Sequence, residues 1–174
     1  MVEALPNYAR PVYLAWSWCG KPTTNVLVVG KEQRRQFAAI CYRRSASAEG
    51  HEMLVVTGRN SGRWVLPRGW PMDGKAPYEV AEREAFEEAG IKGKADRQPI
   101  GLYTYAKQIG DGRVAPCMVE VYAVKVEKIV KKYKEQGQRQ RRWVSFAEAQ
   151  NLVEEPELRG LLVNFGASLV RAKP

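Results

Sequence analysis

Arg83-Glu84-Ala85-Phe86-Glu87-Glu88-Ala89-Gly90-Ile91, preceded by Trp64-Val65-Leu66-Pro67-Arg68-Gly69, is the stretch that decides the fold of this chain. Read as a helix, it places Glu84, Glu87 and Glu88 at i, i+3 and i+4, on one face. Glu84 and Glu88 then repel each other by a few tenths of a kcal/mol. Such a cluster becomes useful when a cation sits among the carboxylates. Hard divalent ions suit it, because magnesium and manganese prefer oxygen ligands and bridge carboxylates to phosphate oxygens. Gly90 ends the helix, since glycine adopts positive φ without a steric penalty.

Working outward, the spacing predicts a helix from about Ala76 to Ala89. Tyr78, Ala81, Ala85 and Ala89 lie along its apolar stripe, Phe86 at the margin, and Glu82 inside the apolar arc. Before it, Phe37 to Tyr42, Met53 to Val56 and Trp64 to Leu66 read as core strands, the last opening into a glycine- and proline-rich loop from Arg68 to Lys75. After it, Ile100 to Tyr105, Val114 to Val126 and Trp143-Val144 read as strands. Ser145-Phe146-Ala147-Glu148 matches a capping box and opens a short helix through about Leu152. A last helix starts near Pro156, with Leu158, Leu161, Leu162, Phe165 and Leu169 as its apolar stripe. Residues 1–34 read as an N-terminal extension without a clear pattern, in which Asn25 to Val29 is a strand or an anchoring arm. Strands, a helix, more strands and terminal helices predict one α/β domain over 1–174, with a mixed sheet between helices.

The 174 residues, 45% of them hydrophobic, suffice for one substantial core. A formal charge of +9 favours polyanionic partners, whether nucleic acid such as RNA, a nucleotide or a phosphorylated small molecule. Eight basic residues between Lys125 and Arg142 face only Glu127 and Glu135. Each lysine there reads as a solvated loop charge, but the cluster as a whole reads equally well as a phosphate contact. Cys19, Cys41 and Cys117 form no CxxC pair, and His51 is the only histidine, so structural zinc is not expected. The odd cysteine count fits a reducing compartment, no apolar run reaches membrane-spanning length, and Pro11 to Cys19 makes a poor signal-peptide core. The expectation is a cytoplasmic protein.

The spacing from Gly69 to Arg83-Glu84-Ala85, Glu87-Glu88 and Gly90-Ile91 closely resembles the Nudix box, a loop-helix-loop signature of hydrolases that cleave phosphoanhydrides. One position departs from it: Lys75 stands where the family usually carries a glutamate that orients the arginine matching Arg83. Since lysine cannot accept a hydrogen bond, Glu79 or Asp73 is expected to take that role. The resemblance implies an α/β/α sandwich. It also implies Mg2+ or Mn2+ held by the Glu84 and Glu88 carboxylates with the Gly69 carbonyl, and Glu87 as a further ligand or as general base. Arg83 would organise the helix against the Gly69 loop.

Beyond the box, Leu66 to Glu88, Gln138 to Trp143 and Glu154 to Leu158 resemble bacterial Nudix proteins related to the diphosphoinositol polyphosphate phosphohydrolases. That branch implies diphosphoinositol polyphosphates or dinucleoside polyphosphates as substrates. Arg68, Lys107, Arg139, Arg141 and Arg142, with Lys75 and Arg113, are the basic residues available to bind them. Trp70 reads equally as a residue that stacks on a base or as rim packing, while Tyr103 and Tyr105 read as cleft-lining or core residues. Two other functions fit the same residues: removal of pyrophosphate from RNA 5′ ends, and a nucleotide- or nucleic-acid-binding Nudix module without hydrolysis.

Overall fold

Phe37, Ala38, Ala39, Ile40 and Cys41 are all buried, and alternate residues enter two different cores. Phe37, Ala39 and Cys41 point to one face of a sheet, Ala38 and Ile40 to the other. A strand covered on both sides is why this run is uninterruptedly apolar. The chain is seen in a computed structural model that describes residues 34–46, 50–110 and 113–171. The expected Asn25 to Val29 segment, Cys19 and residues 1–33 of the extension lie outside the described residues.

The elements are β1 (Arg34–Arg44), β2 (His51–Thr57), β3 (Trp64–Val65), β4 (Arg68–Gly69), α1 (Pro77–Ala89), β5 (Ile91–Ala95), β6 (Gly101–Gly110), β7 (Arg113–Ile129), β8 (Arg141–Ser145), α2 (Phe146–Leu152) and α3 (Pro156–Arg171). The eight strands form one sheet with the backbone order β3-β2-β1-β7-β5; β4 also pairs with β1, β6 with β7 and β8 with β2. Among the described strands only β1 and β7 run parallel, from Arg34 opposite Cys117 to Tyr42 opposite Lys125. The mixed sheet between helices is therefore present. α1 covers the face that carries Leu54, Val56 and Val124, while α2 and α3 cover the face that carries Met53, Val55, Val119 and Val121.

α1 lies close to the sheet because its inner stripe is small: Val80, Ala81, Ala85 and Ala89 are fully buried. Pro77 starts it, and the Glu79 carboxylate accepts the Ala76 N–H at 2.7 Å. Glu82, the misfit in the apolar arc, accepts the Ala95 N–H at 2.7 Å and so holds the end of β5. Gly90 closes the helix at φ 68°, its N–H bonded to the Phe86 carbonyl at 2.9 Å. Any Cβ there would lie 2.6 Å from the Tyr133 ring and 2.7 Å from the Val130 carbonyl oxygen.

Three local expectations change. β5 has no counterpart in the sequence reading, since Lys92, Gly93 and Lys94 erase its apolar signal; lysines are what an edge strand carries. Arg68 and Gly69, expected in a loop, form the short strand β4, with Gly69 opposite Phe37. At the start of α2, Ser145 Oγ accepts the Glu148 N–H at 3.1 Å, but the Glu148 carboxylate pairs with Arg142 instead of completing the capping box. Among the described residues no helix is long and apolar enough to cross a membrane, and Cys41 and Cys117 are buried free thiols.

Candidate active site

The register of β4 beside β1 fixes Gly69 under the carboxylate face of α1. A Cβ at Gly69 would run into the Glu84 carboxylate, so only glycine lets backbone and acid meet here. Glu87 and Glu88, one turn further on, are 8% and 6% exposed, very low for ionisable side chains. The Arg68 N–H reaches Glu88 Oε2 at 3.4 Å and ties the strand to the helix.

Burial and the nearby charges of Glu87 and Glu135 lift the Glu84 pKa, against a weaker pull from Lys134 and Arg139. Burial pushes Glu88 up to about 7, although Arg139 opposes it. Glu87 goes the other way. Its burial is outweighed by Lys134 and Arg83, which hold it below the ordinary glutamate range.

These cationic partners come largely from the segment between β7 and β8. Lys134 Nζ donates to Glu87, and Arg139 Nη2 donates to Glu88. The Arg139 guanidinium also donates to Glu135 Oε2 at 2.6 Å and to the Thr57 carbonyl at 2.8 Å, leaving its side chain 8% exposed. The segment is fastened to the helix by backbone as well: Glu135 N–H to the Glu87 carbonyl at 3.0 Å, and Val130 N–H to the Gly90 carbonyl at 2.8 Å.

Glu84, Glu87, Glu88, Glu135, Lys134 and Arg139 form one wall of a cleft of about 810 Å³. The facing wall is basic and aromatic. Arg68 Nη1 donates to Tyr103 OH at 3.0 Å, with its guanidinium 4.4 Å from the Tyr105 ring centre. Tyr105 OH donates to Gln36 Oε1 at 2.7 Å. Lys107 Nζ lies 5.2 Å from the ring centre of Trp70, which is 40% exposed at the rim. Burial, and then the charge of Arg68, lower the Lys107 pKa. One wall thus offers oxygen ligands and the other offers cations and ring faces, an arrangement suited to an anionic molecule carrying a cation of its own.

The structure brings Gly69, Glu84, Glu87, Glu88, Arg68, Trp70, Lys107 and Arg139 together in this cleft. It does not bring Arg141 or Arg142. Arg141 donates to the Ala89 carbonyl at the end of α1 and lies 4.9 Å from the Tyr133 ring centre, where a cation complements the helix dipole. Arg142 pairs with Glu148 on the other side of the sheet edge.

Arg83 also departs from expectation. Its acceptor is neither Glu79, occupied by the Ala76 N–H, nor the exposed Asp73, but Glu87 one turn along the same helix. It therefore does not link the helix to the Gly69 loop, which the Arg68 backbone does. Lys134 and Glu135 were missed as site residues. In sequence they stand out only as part of a basic run with one acid in it, and their position depends on the backbone bonds to α1.

A profile of the NUDIX domain matches residues 33–165. Nudix hydrolase 12, mitochondrial, of Arabidopsis thaliana is 31% identical over 117 residues, covering 66% of this chain and 58% of that protein. Diphosphoinositol polyphosphate phosphohydrolase 3-beta of Bos taurus is 38% identical over 64 residues, covering 37% of this chain and 38% of that protein. The chain spans 58% and 59% of the length of two Arabidopsis relatives that it matches. Among solved structures, a C. elegans Ap4A hydrolase in binary complex aligns with a TM-score of 0.59 at 20% identity, covering 79% of this chain and 98% of that one. A NUDIX hydrolase from Nitrosomonas europaea aligns with a TM-score of 0.60 at 16% identity, covering 79% and 91%. At such identities the likeness shows the fold. The profile takes in both the carboxylate helix and the strand beneath it and spans well over half of the sequence, so the chain belongs to the Nudix family.

Proposed function

We propose that this chain hydrolyses phosphoanhydride bonds in a polyphosphorylated small molecule with the help of Mg2+ or Mn2+, the substrate being a diphosphoinositol polyphosphate or a dinucleoside polyphosphate. The observation that carries the reading is the single cleft with carboxylates on one wall and Arg68, Lys107 and Trp70 on the other. The similarity to a protein named for diphosphoinositol polyphosphates supports that substrate class.

The donor set fits a hard cation in its chemistry. Glu88 is a buried and Glu84 a half-buried carboxylate, and the pKa values of both are lifted by burial and by acidic neighbours, a cost that a bound cation would remove. As they stand, the acids are held apart by the protein's own cations. Among the described residues no three His, Cys, Asp or Glu side chains converge on one point, because Lys134 and Arg83 hold Glu87 while Arg139 holds Glu88. Glu84, Glu88 and the Gly69 carbonyl would hold the ion once those pairs exchange. A divalent cation neutralises a diphosphate and lowers the pKa of bound water.

The remaining chemistry belongs to the chain's residues. Glu87, ionised at neutral pH through Lys134 and Arg83, serves as the further ligand or takes a proton from the attacking water. Arg83 keeps its carboxylate on the helix face, and Arg68 and Lys107 compensate phosphate charge from the opposite wall.

The test is a substrate panel with and without magnesium: diphosphoinositol polyphosphates, diadenosine polyphosphates and 5′-triphosphorylated RNA. Metal-dependent turnover of the small molecules, lost in Glu87→Gln and Glu88→Gln, is the expected result. Faster turnover of RNA would overturn the substrate class. Salt-sensitive RNA binding without any turnover would make this a binding module.

A further inference from the structure

Glu155, between α2 and α3, is 6% exposed, and neither of its carboxylate oxygens accepts a hydrogen bond. A buried acceptor left without a donor is rare enough to need a reason. Its neighbours in sequence are already employed. Glu154 accepts from Arg63 Nη1 at 2.6 Å, and Glu157 accepts the Thr104 hydroxyl at 2.8 Å. Nor does the Glu155 side chain cap α3, although it lies at the helix start.

An arginine that lines the cleft faces Glu155. Arg63 Nη2 is 3.5 Å from its Oε1. Arg68, bonded to Tyr103 OH, also feels its charge, as does Tyr103 itself. Arg63 and Arg68 flank the segment Trp64 to Pro67, and both line the cleft. A single buried carboxylate therefore stands beside the Arg63 guanidinium, which, like that of Arg68, lines the cavity. The carboxylate end of that attraction is out of water, and it reaches Arg68 without a direct bond.

Resting on the hydrolase reading above, we infer that Glu155 is a positioning residue. It sets the guanidinium groups of Arg68 and Arg63 so that together they receive an anionic group of the substrate, a phosphate other than the one attacked. The acidic wall acts at the bond that breaks, and this subsite holds the far end of the molecule. Its contribution is to binding.

The experiment uses the full chain, the isosteric Glu155→Gln variant, Arg68→Gln and the double variant. Calorimetry with inorganic tripolyphosphate in EDTA reads the subsite without hydrolysis. Kinetics with diadenosine tetraphosphate and magnesium read it in turnover. Glu155→Gln is expected to weaken tripolyphosphate binding roughly tenfold, the loss of one charge-supported contact. It should raise KM by a similar factor with kcat within about twofold. Arg68→Gln should lose as much, and the double variant little more, because the carboxylate acts through the arginine.

Unchanged binding by a folded Glu155→Gln protein would overturn the inference, as would losses that multiply in the double variant. A lower melting temperature with no change in Kd or KM would reduce Glu155 to a helix-start residue and overturn it too. If the parent turned over no compound in the panel yet showed the coupled binding losses, the hydrolase reading would fall and the subsite would stand.

Discussion

The two walls of the cleft hold their charges in opposite ways. On the α1 wall each strongly buried acid has a cation bonded to it: Lys134 and Arg83 on Glu87, Arg139 on Glu88. On the facing wall the cations are held by softer contacts, Arg68 by a phenol and a ring face and Lys107 by an indole. The acidic wall is thus neutralised by the protein's own cations until an ion takes their place, whereas the basic wall keeps donors available to a ligand. Substitutions on the first should change chemistry and stability together, and substitutions on the second should change affinity alone.

The largest expected effect is at Glu87. Replacing it with Gln should lower kcat roughly a thousandfold in a steady-state assay with saturating magnesium, while circular dichroism stays that of the parent. Next comes Arg139. Methionine there strips the cation from Glu88 and Glu135 inside a buried network. The protein should lose about 3 kcal/mol or more in urea unfolding in EDTA, with part of the loss restored by millimolar manganese if the ion takes the guanidinium's place.

Glu88 gives a pH test of similar size. Its folded pKa of about 7 lies above its ordinary 4.5, so the folded state binds the proton more tightly than the unfolded one. In metal-free buffer its contribution to stability is present at low pH and is lost as pH rises from about 4.5 to about 7, by roughly 3 kcal/mol in all. Glu88→Gln should flatten that slope in unfolding curves taken between pH 5 and 8; an unaltered slope would show that another group carries it.

A smaller change is expected from Gly69→Ala, whose Cβ must displace the Glu84 carboxylate. Turnover should drop roughly tenfold with a normal melting temperature, since the fault is one of placement. Smallest is Lys107→Ala on the basic wall: KM about threefold higher and kcat unchanged, the size of one partly exposed cation–ring and phosphate contact. A kcat loss there matching that of Glu87→Gln would break the distinction between the walls.

How much of this was legible in the sequence follows from the range of each interaction. α1 was readable because its signals are local: the alanine stripe, the acids at i, i+3 and i+4, and Gly90 at the end. β1 was readable because burial on both faces leaves a solid apolar run. β5 was not, since an edge strand rich in lysine reads like a loop. The partners of the acids were not legible either. Arg83 pairs with Glu87 one turn along, while Glu79 accepts the Ala76 N–H, and Arg141, counted with the phosphate binders, is spent on the Ala89 carbonyl. Lys134, Glu135 and Glu155 acquire meaning only through contacts between segments far apart in the chain, which no periodicity records.

The backbone bonds from Glu135 to Glu87 and from Val130 to Gly90 join the loop after β7 to the last turn of α1, and Tyr133 fills the space beside Gly90. Loop and helix end are consequently one stiff jaw. Breathing of the mouth must then come from the stretch around Trp70, so the amide protons there should exchange with deuterium well before that of Glu135.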